Sequence, residues 1–484
     1  MGAILQARTI DVGQVRRSVE RLGVKPVTQF LFPVIADSPV SKNKTPDDQM
    51  STAKIVRDTM KALGVPNARI INHPGCHPTV YGEIKSDLPN APTILVGGHY
   101  DGQPSSAKQW HVTKPHKPKL VTRGGEIRVF GRGTSDDWGQ VLTHFMAVKM
   151  MRDLGIPVPV NIKFLIEGGE EIGSPKMDNF IRANKQLLKC DLVILTDSQP
   201  GRMSSPVVTT MARGLVGANV ELKLGTNDPH SGTNLTVNAL LALNKILDMK
   251  DLRTGKVNIP GFYDSVRILS DSERLAFNAM PFDMALFRRN NGLRVIQTLA
   301  GHSAQETIWT QPSYECHTVL SRTDEGLVVA NLIPTHVKAY VTMRLVANQD
   351  PKAVFKLFKA EAYRRLAEFT NLSKSALSIV AESLAHPFAQ DTSSATFKAV
   401  ADGMAVGFDV SKVDFMGCGG TEPIAMYYQV LLGVPVVFNA FNSPADNYHG
   451  NDESLSITHG FQPGVVANVL IYRNLYDLRN SGSA

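Results

Sequence analysis

Residues 93–101 read TILVGGHYD, and residues 160–171 read VNIKFLIEGGEE. Each is a short apolar run that ends in chemically capable polar side chains. Short runs rich in Ile, Leu and Val read as buried strands. CDLVILTDS, 190–198, is a third such run. Between the first two lies GQVLTHFMAVKMMRDLG, 139–155, whose apolar spacing is helical. Strands alternating with helices predict a mostly parallel sheet in an α/β layer.

Working outward, residues 10–35 predict a helix, and MSTAKIVRDTMKALG, 50–64, predicts another that ends in a C-cap glycine. Residues 38–47 read as a polar loop. The pattern shifts near residue 212. GLVGANVELKLGT and HVKAYVTMRLVANQD alternate apolar and polar residues, as half-exposed strands do. Between them, roughly 236–330 is helical and irregular. PKAVFKLFKAEAYRRLAEF, 351–369, is an amphipathic helix, and LSIVAESLAH is a last strand of this block. The α/β pattern then returns, with a helix at 393–406, the buried strand GVPVVFNAF and a closing helix at 460–478. The predicted architecture is an α/β domain (1–211 and 386–484) interrupted by an inserted α+β domain (212–385) with an antiparallel sheet.

Composition sets the class. The 484 residues suffice for two cores, and 43% hydrophobic with 20% charged residues is ordinary for a globular protein. The formal charge of +7 is spread along the chain with no run of five basic residues. That describes a solvated basic surface and not a nucleic-acid footprint. The four cysteines, Cys76, Cys190, Cys316 and Cys418, are far apart, which fits free thiols in a reducing compartment. No secretory signal and no apolar run long enough to span a membrane is visible, so a soluble cytoplasmic protein is expected.

Five motifs sit at predicted strand ends or in the loops just after them, where open α/β sheets gather ligands. His99 and Asp101 close the first strand, and residues two apart share a face, so Asp101 is placed to orient the His99 ring. Asp136 and Asp137 lie in GRGTSDDWG, 131–139, which reads as a helix N-cap with a first-turn Asp or as a metal site. Glu167, Glu170 and Glu171 form an acidic turn, exposed or metal-binding. Asp197 ends the third strand, and His449 lies in NYHGNDE, 447–453. Singly, each has a bland reading as a polar loop residue. Together, His99, Asp136, Glu171, Asp197 and His449 form the imidazole and carboxylate set that suits zinc, with manganese or cobalt as substitutes. Five ligands with one shared carboxylate would hold two divalent ions and leave room for water.

In order, HYDGQP, GRGTSDDWG, EGGEEIGS, LTDS, DPHSGT and NYHGNDE resemble the signature motifs of the carnosinase-like di-zinc dipeptidases, within the wider family of aminoacylases, glutamate carboxypeptidases and succinyl-diaminopimelate desuccinylases. The resemblance runs from about residue 50 to the C-terminus and includes NLIPTHVKAYVTMRLVANQDP (331–351) and LLGVPVV (431–437). It implies a catalytic domain with an inserted lid that also forms a homodimer interface. It implies that Asp136 bridges the metals, that His99 and Asp197 complete one site, and that Glu171 and His449 complete the other. By the same resemblance, Asp101 would orient His99, Glu170 would be the general base for a metal-bound hydroxide, and the peptide bond after Asp136 would be cis. His230 resembles the lid histidine that reaches into the partner subunit's site. Arg344 resembles the clamp on a substrate carboxylate, assisted by Thr421 with Gly420 beside it.

The resemblance implies a metallopeptidase that cleaves small peptides with a free carboxylate. An aminoacylase, deacetylase or carbamoyl-amino-acid hydrolase acting on N-acyl amino acids shares every metal ligand and stands as the alternative. No membrane partner is expected. Three departures bear on substrate size and lid motion: HYDGQP where the family has HYDVQP, HSGTNLT lacking a double glycine, and Trp138, which either narrows the pocket or packs against the sheet. His386 carries little weight, and Cys418 is expected near the surface without a nucleophilic role.

Overall fold

The computed structural model describes residues 10–37, 49–197, 206–280, 282–321 and 331–481; the polar loop read at 38–47 lies outside them. The chain divides into two compact units, the first formed by Met1–Thr210, Gln390–Met416 and Ile424–Ala484, the second by Met211–Ala389 and Gly417–Pro423. In chain order the strands of the first unit are β1 (Arg69–Ile71), β2 (Thr79–Ile84), β3 (Thr93–His99), β4 (Lys119–Arg123), β5 (Glu126–Phe130), β6 (Asn161–Glu167) and β7 (Leu192–Leu195). β8 (Val207–Ala212) leads to β9 (Gly214–Lys223), β10 (Ser313–Ser321), β11 (His336–Leu345), β12 (Leu377–Ala385) and β13 (Phe388–Ala389). The chain returns through β14 (Asp414–Cys418), β15 (Val436–Phe438) and β16 (Ser454–Ser456). The helices used below are α1 (Val12–Leu22), α2 (Met50–Ala62), α3 (Trp138–Asp153), α4 (Ala239–Leu247), α5 (Pro351–Leu366), α6 (Ala395–Gly407) and α7 (Gln462–Asn480).

The main sheet of the first unit has the order β1-β2-β6-β3-β7-β15. β6, β3, β7 and β15 run parallel, while β1 and β2 add an antiparallel edge. Ile94, Leu95 and Val96 are buried on both faces of β3, which is why its sequence is a continuous apolar run. Because β3, β6 and β7 are parallel, their carboxyl ends share one rim, and the register sets His99 beside Glu167. α3 is buried almost throughout, and it packs with α7, which in turn packs with α6. A small antiparallel sheet, β16-β5-β4, pairs Phe130 with Ser454. This pairing sets the loop after β5 beside the loop before β16, sealed by the Gly131 N–H donating to the Glu453 carbonyl at 2.9 Å.

The sheet of the second unit is antiparallel, in the order β10-β11-β9-β12. β11 alternates buried and less buried residues along its length, as its sequence predicts. Its inward Val341 and Met343 join Val220 and Leu222 of β9, Leu243 of α4 and Phe358 of α5 in one core.

Four expectations are corrected. The helix read over 10–35 is broken: α1 ends at Leu22, and Gly23 takes φ +55° and ψ −131°, a backbone conformation open to glycine that ends the helix before helical residues resume. β10 was hidden in the irregular stretch 236–330 because Tyr314 is its only buried residue, leaving no alternation to read. Residues 417–423, read with the returning α/β segment, belong to the second unit, tied there by Arg213 and Arg344. Trp138 packs in the core, with its indole N–H donating to the Phe30 carbonyl at 3.1 Å. Cys418 is buried, contrary to the surface position expected.

Candidate metal centre and carboxylate site

At the rim of the first unit, His99, Asp101, Asp136, Glu170, Glu171, Asp197 and His449 come together. β3 ends at His99, whose backbone N–H donates to Asp137 Oδ2 at 3.0 Å. The same oxygen accepts the Thr196 hydroxyl at 2.6 Å, so Asp137 ties the ends of β3 and β7. Gly98 is required here: a Cβ would lie 2.5 Å from Asp137 Oδ2 and 2.4 Å from a Val141 methyl.

Asp136 faces two imidazoles. Its Oδ1 lies 2.9 Å from His99 Nε2, and its Oδ2 lies 2.9 Å from His449 Nε2. Asp197 approaches the same His99 nitrogen at 3.7 Å, and Glu171 approaches the His449 nitrogen at 3.1 Å. Two triads result, His99–Asp136–Asp197 and Asp136–Glu171–His449, each with its donor atoms within 4.8 Å of one another. Donors held tetrahedrally at about 2.0–2.2 Å from one zinc ion are separated by roughly 3.4 Å, so the spacing fits. Glu171 Oε1 is buried with no hydrogen-bond partner, a costly state for a carboxylate that a cation would relieve. The peptide bond between Asp136 and Asp137 is cis.

The field of the cluster points the same way. Burial drives the His99 imidazole toward neutrality, but hydrogen bonds with Asp101 and Asp136 outweigh it and hold its pKa well above the ordinary range. At His449 burial is likewise outweighed, by Asp136 and Glu171, and the pKa is pushed up to about 10. Carboxylates that hold a proton this firmly on two rings provide the negative potential a divalent cation needs. His449 keeps 47% of its side chain exposed and Asp197 29%, so the cluster opens to solvent on one side.

Asp101 supports the centre from behind. Its carboxylate lies 3.3 Å from His99 Nδ1, and its carbonyl lies 3.0 Å from the same nitrogen. It also accepts the backbone N–H groups of Glu170 and Glu171, each at 3.3 Å. One residue thus orients a ring and the start of the 170–172 turn. Gln103 donates to Glu171 Oε2 at 2.6 Å. A Glu170 carboxylate oxygen falls within 4.8 Å of one from Asp197.

Two supporting residues escaped the reading of the sequence. Glu453, fully buried, accepts the backbone N–H groups of Ser135 at 2.9 Å and Asp136 at 3.1 Å. Arg132 pairs with Glu453 at 2.7 Å and donates to the Gly450 carbonyl at 3.0 Å. The pair locks the loop carrying Asp136 to the loop carrying His449. Both residues stood within quoted motifs, but a carboxylate that accepts backbone N–H groups has no sequence signature.

The second unit holds the other predicted residues. Arg344 Nη1 donates to the Thr421 hydroxyl at 2.7 Å, and the Gly420 carbonyl accepts the Arg213 backbone N–H at 2.8 Å. His230 is exposed at the start of a 3-10 turn, with Nδ1 accepting the Gly232 N–H at 3.1 Å. His386 is half-exposed, 3.8 Å from Asp350. Among the described residues no helix is long and apolar enough to cross a membrane.

An α/β sheet with an imidazole and carboxylate cluster beyond its parallel strands is the framework of a metal-dependent hydrolase. The chain belongs to the peptidase family M20/M25/M40, whose sequence model matches residues 95–470. The Beta-Ala-His dipeptidase of Homo sapiens is 26% identical over 445 residues, spanning 91% of this chain and 84% of that protein. The Cys-Gly metallodipeptidase dug1 of Schizosaccharomyces pombe is 28% identical over 286 residues, 58% of this chain and 59% of its own length. The solved structure of the di-peptidase Dug1p from Saccharomyces cerevisiae matches with a TM-score of 0.75 at 22% identity, over 96% of this chain and 99% of that one.

Proposed function

We propose that this chain is a two-metal dipeptidase that cleaves small peptides bearing a free carboxylate. The observation that carries the reading is Asp136, with one carboxylate oxygen 2.9 Å from each of two histidines. In this reading His99, Asp136 and Asp197 hold one divalent ion, Asp136, Glu171 and His449 hold the other, and the metal is zinc, with manganese or cobalt as substitutes. The bound ions would supply Lewis acidity, making water acidic and polarising the scissile carbonyl.

The side chains divide the remaining work. Glu170 takes the proton of the attacking water and returns a proton to the leaving amine. Its start of turn is held by Asp101, which keeps that carboxylate beside Asp197. Arg344 and Thr421 hold the substrate carboxylate, using the planar guanidinium for orientation. The second unit serves as lid and homodimer interface, and His230, exposed in its own unit, acts on the partner's site in trans. Free cysteines support a reducing, cytoplasmic setting. The names of the relatives favour dipeptides over N-acyl amino acids.

The test is a panel of dipeptides and N-acyl amino acids assayed with zinc or manganese by amine release. Dipeptides should be cleaved; turnover of N-acyl amino acids alone would sink the reading. Glu170→Ala should abolish turnover while bound metal survives. Mixed dimers of His230→Ala and Glu170→Ala subunits should regain activity, and inactivity in confirmed heterodimers rules out action in trans.

A further inference from the structure

Arg213 immediately precedes β9 of the second unit and is 8% exposed. Arg344 on β11 is paired in register with Leu215 on one side and Ser313 on the other. Arg213 lies two residues before Leu215, so it shares the sheet face of Arg344 as its diagonal neighbour, about 7–8 Å away along the backbone. The contacts agree. Arg213 Nη2 donates to Ser313 Oγ at 3.0 Å and to the Gln311 carbonyl at 2.7 Å. Its backbone N–H holds Gly420, and Arg344 holds Thr421, so both arginines converge on the 417–423 loop.

The acidic charge that reaches Arg213 comes from Glu315, without ion-pair contact. Arg213 Nε is buried with no hydrogen-bond partner, and among the described residues neither guanidinium makes an ion pair. The acidic neighbour Glu315 is taken by Lys250, and Glu422 accepts from the Cys418 thiol at 3.7 Å. Burial, with the nearby Arg344 charge, pushes the Arg213 pKa down to about 10, which leaves it cationic at neutral pH. Burying one of two neighbouring like charges without an ion-pair partner is costly, and a bound anion would offset that cost.

We propose that Arg213 and Arg344 form a paired-cation subsite that selects substrates by negative charge at the carboxyl end, preferring an acidic C-terminal residue over a single carboxylate and a carboxylate over an amide. This deepens the dipeptidase reading and rests on it. Arg344 touches the carboxylate. Arg213 is the specificity-determining residue, adding the second charge and pinning Ser313 beside the clamp.

The experiment compares Gly-Glu, Gly-Ala and glycyl-alaninamide with the full chain, and separately measures thermal stabilisation by glutarate and by acetate at matched ionic strength. The wild type should favour Gly-Glu over Gly-Ala by about fivefold or more, carried by KM. Arg213→Met should raise KM for both dipeptides and bring them within about twofold, while Arg213→Lys keeps the order. Glutarate should stabilise the wild type more than acetate does, and Arg213→Met should lose the difference. A wild type indifferent to the second carboxylate overturns the proposal, as does an Arg213→Met variant that lowers kcat equally for all three substrates at constant KM. If no peptide is cleaved, the dipeptidase reading fails and the glutarate measurement alone decides the subsite. If Arg213→Met does not fold, Arg213→Lys and the wild-type glutarate response decide it.

Discussion

Asp136 Oδ1 lies 2.9 Å from His99 Nε2 at the end of a buried strand. Its second oxygen makes the equivalent approach to His449, so one side chain couples the two proposed metal positions. Asp136→Asn replaces one oxygen by an amide that is a poor metal ligand. Metal bound after dialysis should fall from about two ions per chain to one or fewer, read by elemental analysis. Chelation of the wild type should abolish turnover, and zinc or manganese should restore it.

Asp101 joins His99 to the backbone of Glu170 and Glu171. Asp101→Asn removes the charge that orients the ring and supports the turn. Metal affinity or kcat should fall about 10- to 100-fold, with the fold intact by circular dichroism. An unchanged kcat and metal affinity would remove Asp101 from the site.

Glu453 is buried against Arg132 and accepts the N–H groups of Ser135 and Asp136. Removing one partner of a buried pair strands the other charge, so Glu453→Ala should cost about 3–5 kcal/mol in denaturant unfolding. It should also weaken metal binding, because both ligand-bearing loops lose their tie. A loss of stability alone would show that the pair supports the fold without shaping the centre.

His144 is fully buried, with Nδ1 2.8 Å from the Tyr472 hydroxyl. Burial pushes its pKa down to about 3. An unfolded histidine takes up a proton near pH 6.5, whereas the folded one does not until far lower pH. The native state is therefore undisturbed above that value and loses stability as pH falls below it, down to the folded pKa. At pH 4.5 the loss relative to pH 7.5 is about 2–3 kcal/mol from this group. His144→Gln, which keeps a partner for Tyr472, should show an unfolding free energy that falls less over this range. Equal slopes in the two proteins would contradict the assignment.

Some of this was open to reading along the chain. Apolar runs ending in His99, Glu167 and Asp197 announce parallel strands with polar rims, because burial on both faces demands continuous Ile, Leu and Val. The candidate set was readable in part for the same reason: His99, Glu171 and Asp197 fall at or just after strand ends, which backbone periodicity marks, whereas Asp136 and His449 lie in longer loops. β10 was not readable, because a strand with one buried residue carries no period. Nor was the helix break at Gly23, where one glycine in a helical pattern reads equally as tolerated or terminal.

The sequence alone determined the α/β and α+β layers, the five residues proposed for the centre and the family's motif order, because each depends on local pattern and residue chemistry. Only the tertiary structure decided that Asp136 faces two histidines, that Glu453 and Arg132 bind the two loops together, and that Arg213 stands beside Arg344 with no ion pair to either among the described residues. Those facts depend on strand register and on loops more than 300 residues apart in the chain, as in the Arg132–Glu453 contact. Such pairings arise from packing and burial, which no local stretch of sequence records.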